Sequence, residues 1–204
     1  MENRVLKASN FALEERVEKL KLVLEKRNFQ STFVFENIHD PHNVSACMRS
    51  CDATGIAKVH FIYYGGQKFP KLGERSSASA RKWVETVKHE SIEDCYNTLR
   101  AEGKKIYTTH MSKDAVSIYD LDLTQPVALV LGNEHEGVSE EAVELADGNY
   151  LIPQIGMIQS LNISVAAAVS AYEVFRQRLN AGLFNTMQFS EEEFDKELLN
   201  WARK

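Results

Sequence analysis

Cysteine is scarce in this chain. Three are present in 204 residues, Cys47, Cys51 and Cys95. So small and odd a number excludes a disulfide framework, and no signal-peptide pattern precedes the first helix; both point to a reduced, cytoplasmic setting. No apolar run approaches the ~20 residues of a membrane-spanning helix, which argues against an integral membrane protein. Internal repeats, low-complexity tracts and a clear interdomain linker are all missing. So is a Gly-x-Gly-x-x-Gly after an early strand, which sets aside a dinucleotide-dependent oxidoreductase. An excess of positive charge is also lacking: 24 Lys and Arg stand against 29 Asp and Glu, a net charge of −5. A polyanionic partner would therefore have to be met by a local patch.

Such a patch is present. Residues 66–88 carry Lys68, Lys71, Arg75, Arg81, Lys82 and Lys88 against only Glu74 and Glu85, whereas residues 134–148 hold six acids and no Lys or Arg. Hydrophobic residues make up 44% and charged residues 26%, enough to bury the core of one ordinary domain without disulfides or metal.

Strand and helix signals alternate. Leu13, Val17, Leu20 and Leu24 lie at helical spacing and predict an amphipathic helix over 11–27. Strands are expected at 32–38, 58–63, 83–88, 104–109, 127–131 and 150–152, and helices at 44–54, 91–102, 139–147 and 162–180. Asn43 is placed to cap the second helix and Gly55 to end it. The wholly apolar Val127–Leu131 fits a parallel strand covered on both faces. Ser190-Glu-Glu-Glu193 is a capping box, followed by an apolar stripe of Phe194, Leu198 and Trp201. The pattern predicts an α/β fold with a mostly parallel sheet flanked by helices. Its parts are a helical extension over 1–30, the main domain over 31–182 and a helical tail over 183–204.

Three segments carry chemistry, each just beyond the carboxyl end of an expected strand, where open α/β sheets bind ligands. The first runs Asn37-Ile-His-Asp-Pro-His-Asn43-Val-Ser-Ala-Cys-Met-Arg49. The second is Leu131-Gly132-Asn133-Glu134-His135-Glu136-Gly137, with glycines that permit sharp turns and close backbone approach. The third, Ile152-Pro-Gln-Ile-Gly-Met157-Ile-Gln-Ser160-Leu161-Asn162, is apolar yet irregular. A flat heteroaromatic ring such as adenine would satisfy its backbone groups while packing on Ile155, Met157 and Leu161; the alternative is plain core packing with Asn162 as a helix cap.

In this order and at these spacings the segments resemble the three motifs of the SpoU/TrmH family of RNA ribose 2′-O-methyltransferases, in the SPOUT class. The likeness covers roughly residues 12–183. It implies a sheet whose C-terminal part is threaded into a trefoil knot, a homodimer with its active site near the interface, and S-adenosylmethionine as methyl donor. It implies catalytic roles for Asn43, Arg49, Glu134, Ser160 and Asn162, and cofactor contacts from Thr109, Gly132, Ile152, Met157 and Leu161. Arg75, Arg81, Lys82, Arg176 and Arg178 are the candidate RNA-binding residues. The substrate implied is the D-loop guanosine of tRNA. Alternatives are another tRNA or rRNA nucleotide, or a relative that binds RNA without modifying it.

The family resemblance implies Arg49 as the base that takes the hydroxyl proton. A guanidinium is effectively always protonated, so clamping a phosphate by paired hydrogen bonds is the chemically easier role. Methyl transfer from a sulfonium needs no metal, and none is expected. A metal site from His39, His42, Cys47 and Cys51 has suitable residue types, but two cysteines one helical turn apart read better as small core residues.

Overall fold

Two strands buried along their whole length, Ser31–Glu36 (β1) and Val127–Leu131 (β6), pair in parallel near the middle of the sheet. The computed structural model describes residues 13–70, 80–112, 114–133, 135–158 and 160–204. Among these residues the other strands are Lys58–Ile62 (β2), Glu85–His89 (β3), Lys105–Thr109 (β4), Val116–Ser117 (β5) and Gly148–Leu151 (β7). The order is β3-β2-β1-β6-β4-β7-β5, and every ladder is parallel. Strands β2 and β3 extend the sheet to one side of β1, while β6, β4, β7 and β5 extend it to the other. That reversal opens a crevice at the carboxyl ends of the central strands.

The helices are Glu14–Leu24 (α1), Pro41–Ala53 (α2), Ala80–Trp83 (α3), Ile92–Ala101 (α4), Glu140–Leu145 (α5), Ile163–Asn180 (α6) and Glu191–Ala202 (α7). None among the described residues is long and apolar enough to cross a membrane. On one sheet face α2 and α6 pack over Phe33, Phe35, Phe61 and Leu129. On the other, α4 and α5 cover Val34, Ile62, Ile106 and Val130. Of the expected stripes of the outer helices, Val17, Leu20 and Leu24 with Phe194, Leu198 and Trp201 bury each other in a third cluster, whereas Leu13 stands at the N-cap of α1, before its first turn, and is 82% exposed. Arg27 ties that cluster to the body: it is 2% exposed, pairs with Asp52 and lies over the Trp201 ring.

Three local features differ from the sequence reading. Helix α2 begins at Pro41, capped by Asp40, whose carboxylate accepts from His42 N at 2.8 Å; Asn43 lies inside the first turn and is not the cap. Proline at a first helical position loses no bond, since that N–H has no partner anyway. Between β4 and β6 the chain adds the two-residue β5 and a 3₁₀ turn, Ile118–Asp120, which the pattern did not announce. Arg178, expected to meet RNA, is 2% exposed on the inner stripe of α6 and donates through Nη1 to Thr124 O at 2.7 Å. It is a structural residue. The caps at Ser139, Asn162 and Ser190 form as read.

Candidate active site

The carboxyl ends of β4, β6 and β7, with the segment leading into α6, enclose a cleft of about 510 Å³. Four of the five expected cofactor residues line it: Thr109, Gly132, Ile152 and Leu161. Met157 does not; its side chain is 98% exposed. Ser160 and Asn162 line the same cleft, and Glu134 lies outside the described residues.

The floor is shaped by the segment after β6. Asn133 and Gly137 exchange backbone bonds, Asn133 N to Gly137 O and Gly137 N to Asn133 O, each 3.1 Å. Asn133 Oδ1 accepts from His135 N and Glu136 N inside the loop so closed. Gly132 is obligatory, because a Cβ there would fall 1.8 Å from Gly137 O. Thr109 Oγ1 donates to Val130 O, fixing the end of β4 against β6.

The third segment ends on Asn162, which caps α6 by accepting from Ser164 N at 2.8 Å. Its amide nitrogen donates to Asn43 Oδ1 at 3.3 Å, joining the first motif to the third. The rings of His39 and His135, 6.4 Å apart, bring the first segment beside the second. All three segments therefore meet at one end of the sheet. Arg49 is exposed on α2, in a shallow groove of about 370 Å³ with His42, Ser45, Ala46 and Ser50. No acidic partner for it is found among the described residues, which leaves the guanidinium open to an external anion.

Sequence reasoning missed Glu36. It closes β1, is 2% exposed, and accepts from Tyr64 OH at 2.5 Å and from Ser139 N at 3.1 Å. It thus ties the strand before the first motif to the residue where the second loop enters α5. Burial, reinforced by the bond to Glu36, pushes the Tyr64 hydroxyl up to about 12. The available signal was a carboxylate ending an otherwise apolar strand, Thr-Phe-Val-Phe-Glu36.

Of the basic candidates, Arg81 and Lys82 are exposed on α3. Arg81 shares a groove with Met48, Phe69, Thr86 and Lys88, and Lys88 Nζ sits 4.2 Å from the Phe69 ring centre. Arg176 is exposed but held by Glu173 at 2.7 and 2.8 Å, a bond that also lowers the Glu173 carboxyl. Arg75 lies outside the described residues.

Residues 30–172 match the SpoU rRNA Methylase family. The tRNA (guanosine(18)-2′-O)-methyltransferase of Thermus thermophilus is 41% identical over 191 residues, 94% of this chain and 97% of that protein. The crystal structure of the Aquifex aeolicus TrmH/SpoU tRNA modifying enzyme superposes with a TM-score of 0.86 at 38% identity, covering 93% of this chain and 96% of that one. The methyltransferase AviRb from Streptomyces viridochromogenes, solved in complex with AdoMet, superposes with a TM-score of 0.64 at 29% identity over 76% of this chain and 62% of that one. Sheet order, crevice and these likenesses define a methyltransferase of the SPOUT class. Within it, the chain belongs to the SpoU methylase family, and that membership implies the C-terminal trefoil knot.

Proposed function

We propose that this protein transfers the methyl group of S-adenosylmethionine to the ribose 2′-hydroxyl of guanosine 18 in the D-loop of tRNA. The observation that carries the reading is the meeting of the three motif segments at one end of the sheet: the second and third line the cleft, and Asn162 of the third is bonded to Asn43 of the first. The name of the Thermus relative, similar over nearly the whole of both chains, supports the choice of nucleotide.

The cleft suits the methyl donor: a glycine-floored loop allows close backbone approach, and Ile152 and Leu161 offer an apolar wall. When bound, S-adenosylmethionine supplies a methyl group on an electrophilic sulfonium. Thr109, Gly132, Ile152 and Leu161 would hold it. The chain's own residues align the hydroxyl, help remove its proton and exclude water. Asn43, Ser160 and Asn162 supply short polar groups for the ribose, and Glu134 belongs to the same site. Arg49 clamps the neighbouring phosphate with its planar fork, and the hydroxyl proton leaves through that phosphate or through water. No metal takes part in the reaction. Arg81, Lys82 and Lys88 hold the RNA backbone beside this centre, with Arg176 further along α6.

The active form is a homodimer in a cytoplasmic setting. The stripes of α1 and α7 do not argue for this, since they cover each other. The support is a second stripe: Val165, Tyr172 and Leu179 stand seven residues apart on α6 and are 46%, 56% and 53% exposed.

The test is methyl transfer to unmodified tRNA, followed by mapping of the 2′-O-methyl position. Methylation at guanosine 18 is expected, with none on a transcript carrying deoxyguanosine there. Modification elsewhere would overturn the substrate, and no transfer to any RNA would overturn the enzyme. Light scattering should give twice the chain mass; a stable monomer at micromolar concentration would remove the dimer.

A further inference from the structure

Away from the cleft, between β2, β3 and α4, two histidines and a cysteine converge. His60 Nδ1 lies 3.0 Å from His89 Nε2, with the two rings stacked at 17°. Cys95, in the first turn of α4, completes the group, and the three candidate ligand atoms all lie within 4.8 Å of one another. His60 and Cys95 are fully buried and His89 is 6% exposed. The other nitrogen of His89 is 2.6 Å from Asp94 Oδ2, whose side chain is largely in solvent.

This arrangement has directional consequences. The Asp94 carboxylate oxygen is the acceptor at this contact, so His89 places its N–H on Nδ1 and donates it there. Nε2 is then bare, with its lone pair aimed at His60. An imidazole oriented by a carboxylate on its far nitrogen is the usual form of a metal-ligating histidine. The alternative, a proton relay, has no exit: His60 Nε2 meets no polar partner among the described residues, so the chain from Asp94 stops there. The surroundings give no packing reason for polar side chains either, since Val34, Ile62, Ile92, Leu99 and Ile106 form the same layer.

We propose that His60, His89 and Cys95 form a binding site for a divalent ion of borderline softness, zinc above all, with Asp94 as the residue that orients His89. A tetrahedral zinc with nitrogens ~2.0–2.1 Å away sets those nitrogens about 3.4 Å apart. The observed 3.0 Å therefore opens by only a few tenths of an ångström. The sulfur, at most 4.8 Å away, swings in by about 1 Å. On binding, the Cys95 thiol gives its proton to solvent and the thiolate sulfur donates to the ion. His60 moves its proton from Nδ1 to Nε2, freeing Nδ1 to ligate. The fourth position is left to water.

None of the three residues lines the cleft, so methyl transfer is not routed through the ion. Its effect is mechanical. Strand β3 is the sheet edge and pairs with β2 alone among the described strands. An ion joining β2, β3 and α4 would pin the strand that carries Lys88.

The experiment uses the full chain, stripped with a chelator and titrated with Co²⁺ as an optical probe. The expected result is intense visible bands of a tetrahedral site together with a near-ultraviolet thiolate-to-cobalt band, saturating at one ion per chain and displaced by Zn²⁺. The thiolate band should vanish in Cys95→Ser and persist in the Cys47→Ser, Cys51→Ser double variant. Zinc should raise the melting temperature of the unmutated chain and shield Cys95 from alkylation; this last measurement needs no variant to fold. Absence of the thiolate band in the folded, unmutated chain would overturn the site. Its persistence in Cys95→Ser, or unshielded Cys95 at saturating zinc, would do the same.

Discussion

Adding a single methyl group at Gly132 tests the cofactor loop most directly. In Gly132→Ala the new carbon would lie 1.8 Å from Gly137 O, 1.9 Å from Gly137 C and 2.2 Å from Val138 N. Ordinary carbon–oxygen contacts begin near ~3.3 Å, so the loop must open by about 1.5 Å. The obstacle is backbone, and no rotamer change relieves it. The paired 3.1 Å bonds between Asn133 and Gly137 would stretch beyond bonding range, and the two bonds inside the loop to Asn133 Oδ1 would loosen with them. At a net ~0.5–1 kcal/mol for each of four bonds, the closed loop loses about 2–4 kcal/mol. If S-adenosylmethionine requires the closed loop, its affinity falls about 30- to 1,000-fold. Gly156→Ala is the matched control, because no atom lies within 4 Å of its added carbon and its φ is not left-handed. Affinity there should hold within about twofold. Calorimetric titration, with circular dichroism to verify folding, decides the matter. Wild-type affinity in a folded Gly132→Ala chain would remove the methyl donor from this loop. Equal losses in both variants would refute the steric argument.

Arg49→Ala should lower the methyl-transfer rate at least about 100-fold through lost alignment, while cofactor affinity stays put. Arg49→Lys should recover little, because an ammonium cannot copy the planar fork; an active alanine variant would end the assignment. Arg178→Ala should lower stability by about 1–3 kcal/mol, because Thr124 O loses its partner in a buried setting, and should leave the salt slope of tRNA binding unchanged. Arg81→Ala should instead reduce that slope by about one without altering the urea midpoint. His60 is lowered to about 4, by burial first and by His89 next. Its unfolded form titrates near ~6.5, so below that pH the unfolded chain binds the extra proton. Stability should therefore decline as pH falls from about 6.5 to about 4, by about 3 kcal/mol in total. Urea midpoints measured over that range with chelator present check this, and His60→Leu should flatten the slope.

Much of this architecture was legible because the central strands are short, apolar and bounded by turns or caps. Val127–Leu131 announced a doubly covered strand, and Ser139 and Ser190 announced helix starts. The sheet order was not legible. Nothing in local periodicity says that β6 inserts between β1 and β4, or that a two-residue β5 extends the edge. The cap of α2 was misplaced although its signal was present, since an Asp before a Pro at a first helical position outranks an Asn two residues later. Arg178 was misjudged by charge alone. It falls four residues after Val174 and seven after Ala171, both buried, so helical spacing already turned it inward. Helical spacing marked the stripes of α1 and α7, Leu13 apart, but a pattern on one helix does not say which surface will cover it. The motif residues were found because they sit at strand ends, whereas Glu36 was lost inside a strand whose neighbours spoke only of core.

The mutual burial of α1 and α7 has a consequence for the life of the nascent chain. These helices are separated by nearly the whole length of the main domain. At ~5–20 residues per second, α7 emerges from the ribosome roughly 10–40 s after α1. Throughout that interval Val17, Leu20 and Leu24 lack Phe194, Leu198 and Trp201, the buried residues that complete their cluster. The stripe that closes the finished protein is thus, during synthesis, the segment most open to capture by a chaperone or to sticking to a neighbouring chain. Substitutions there will register in the yield of soluble protein before they register in its activity.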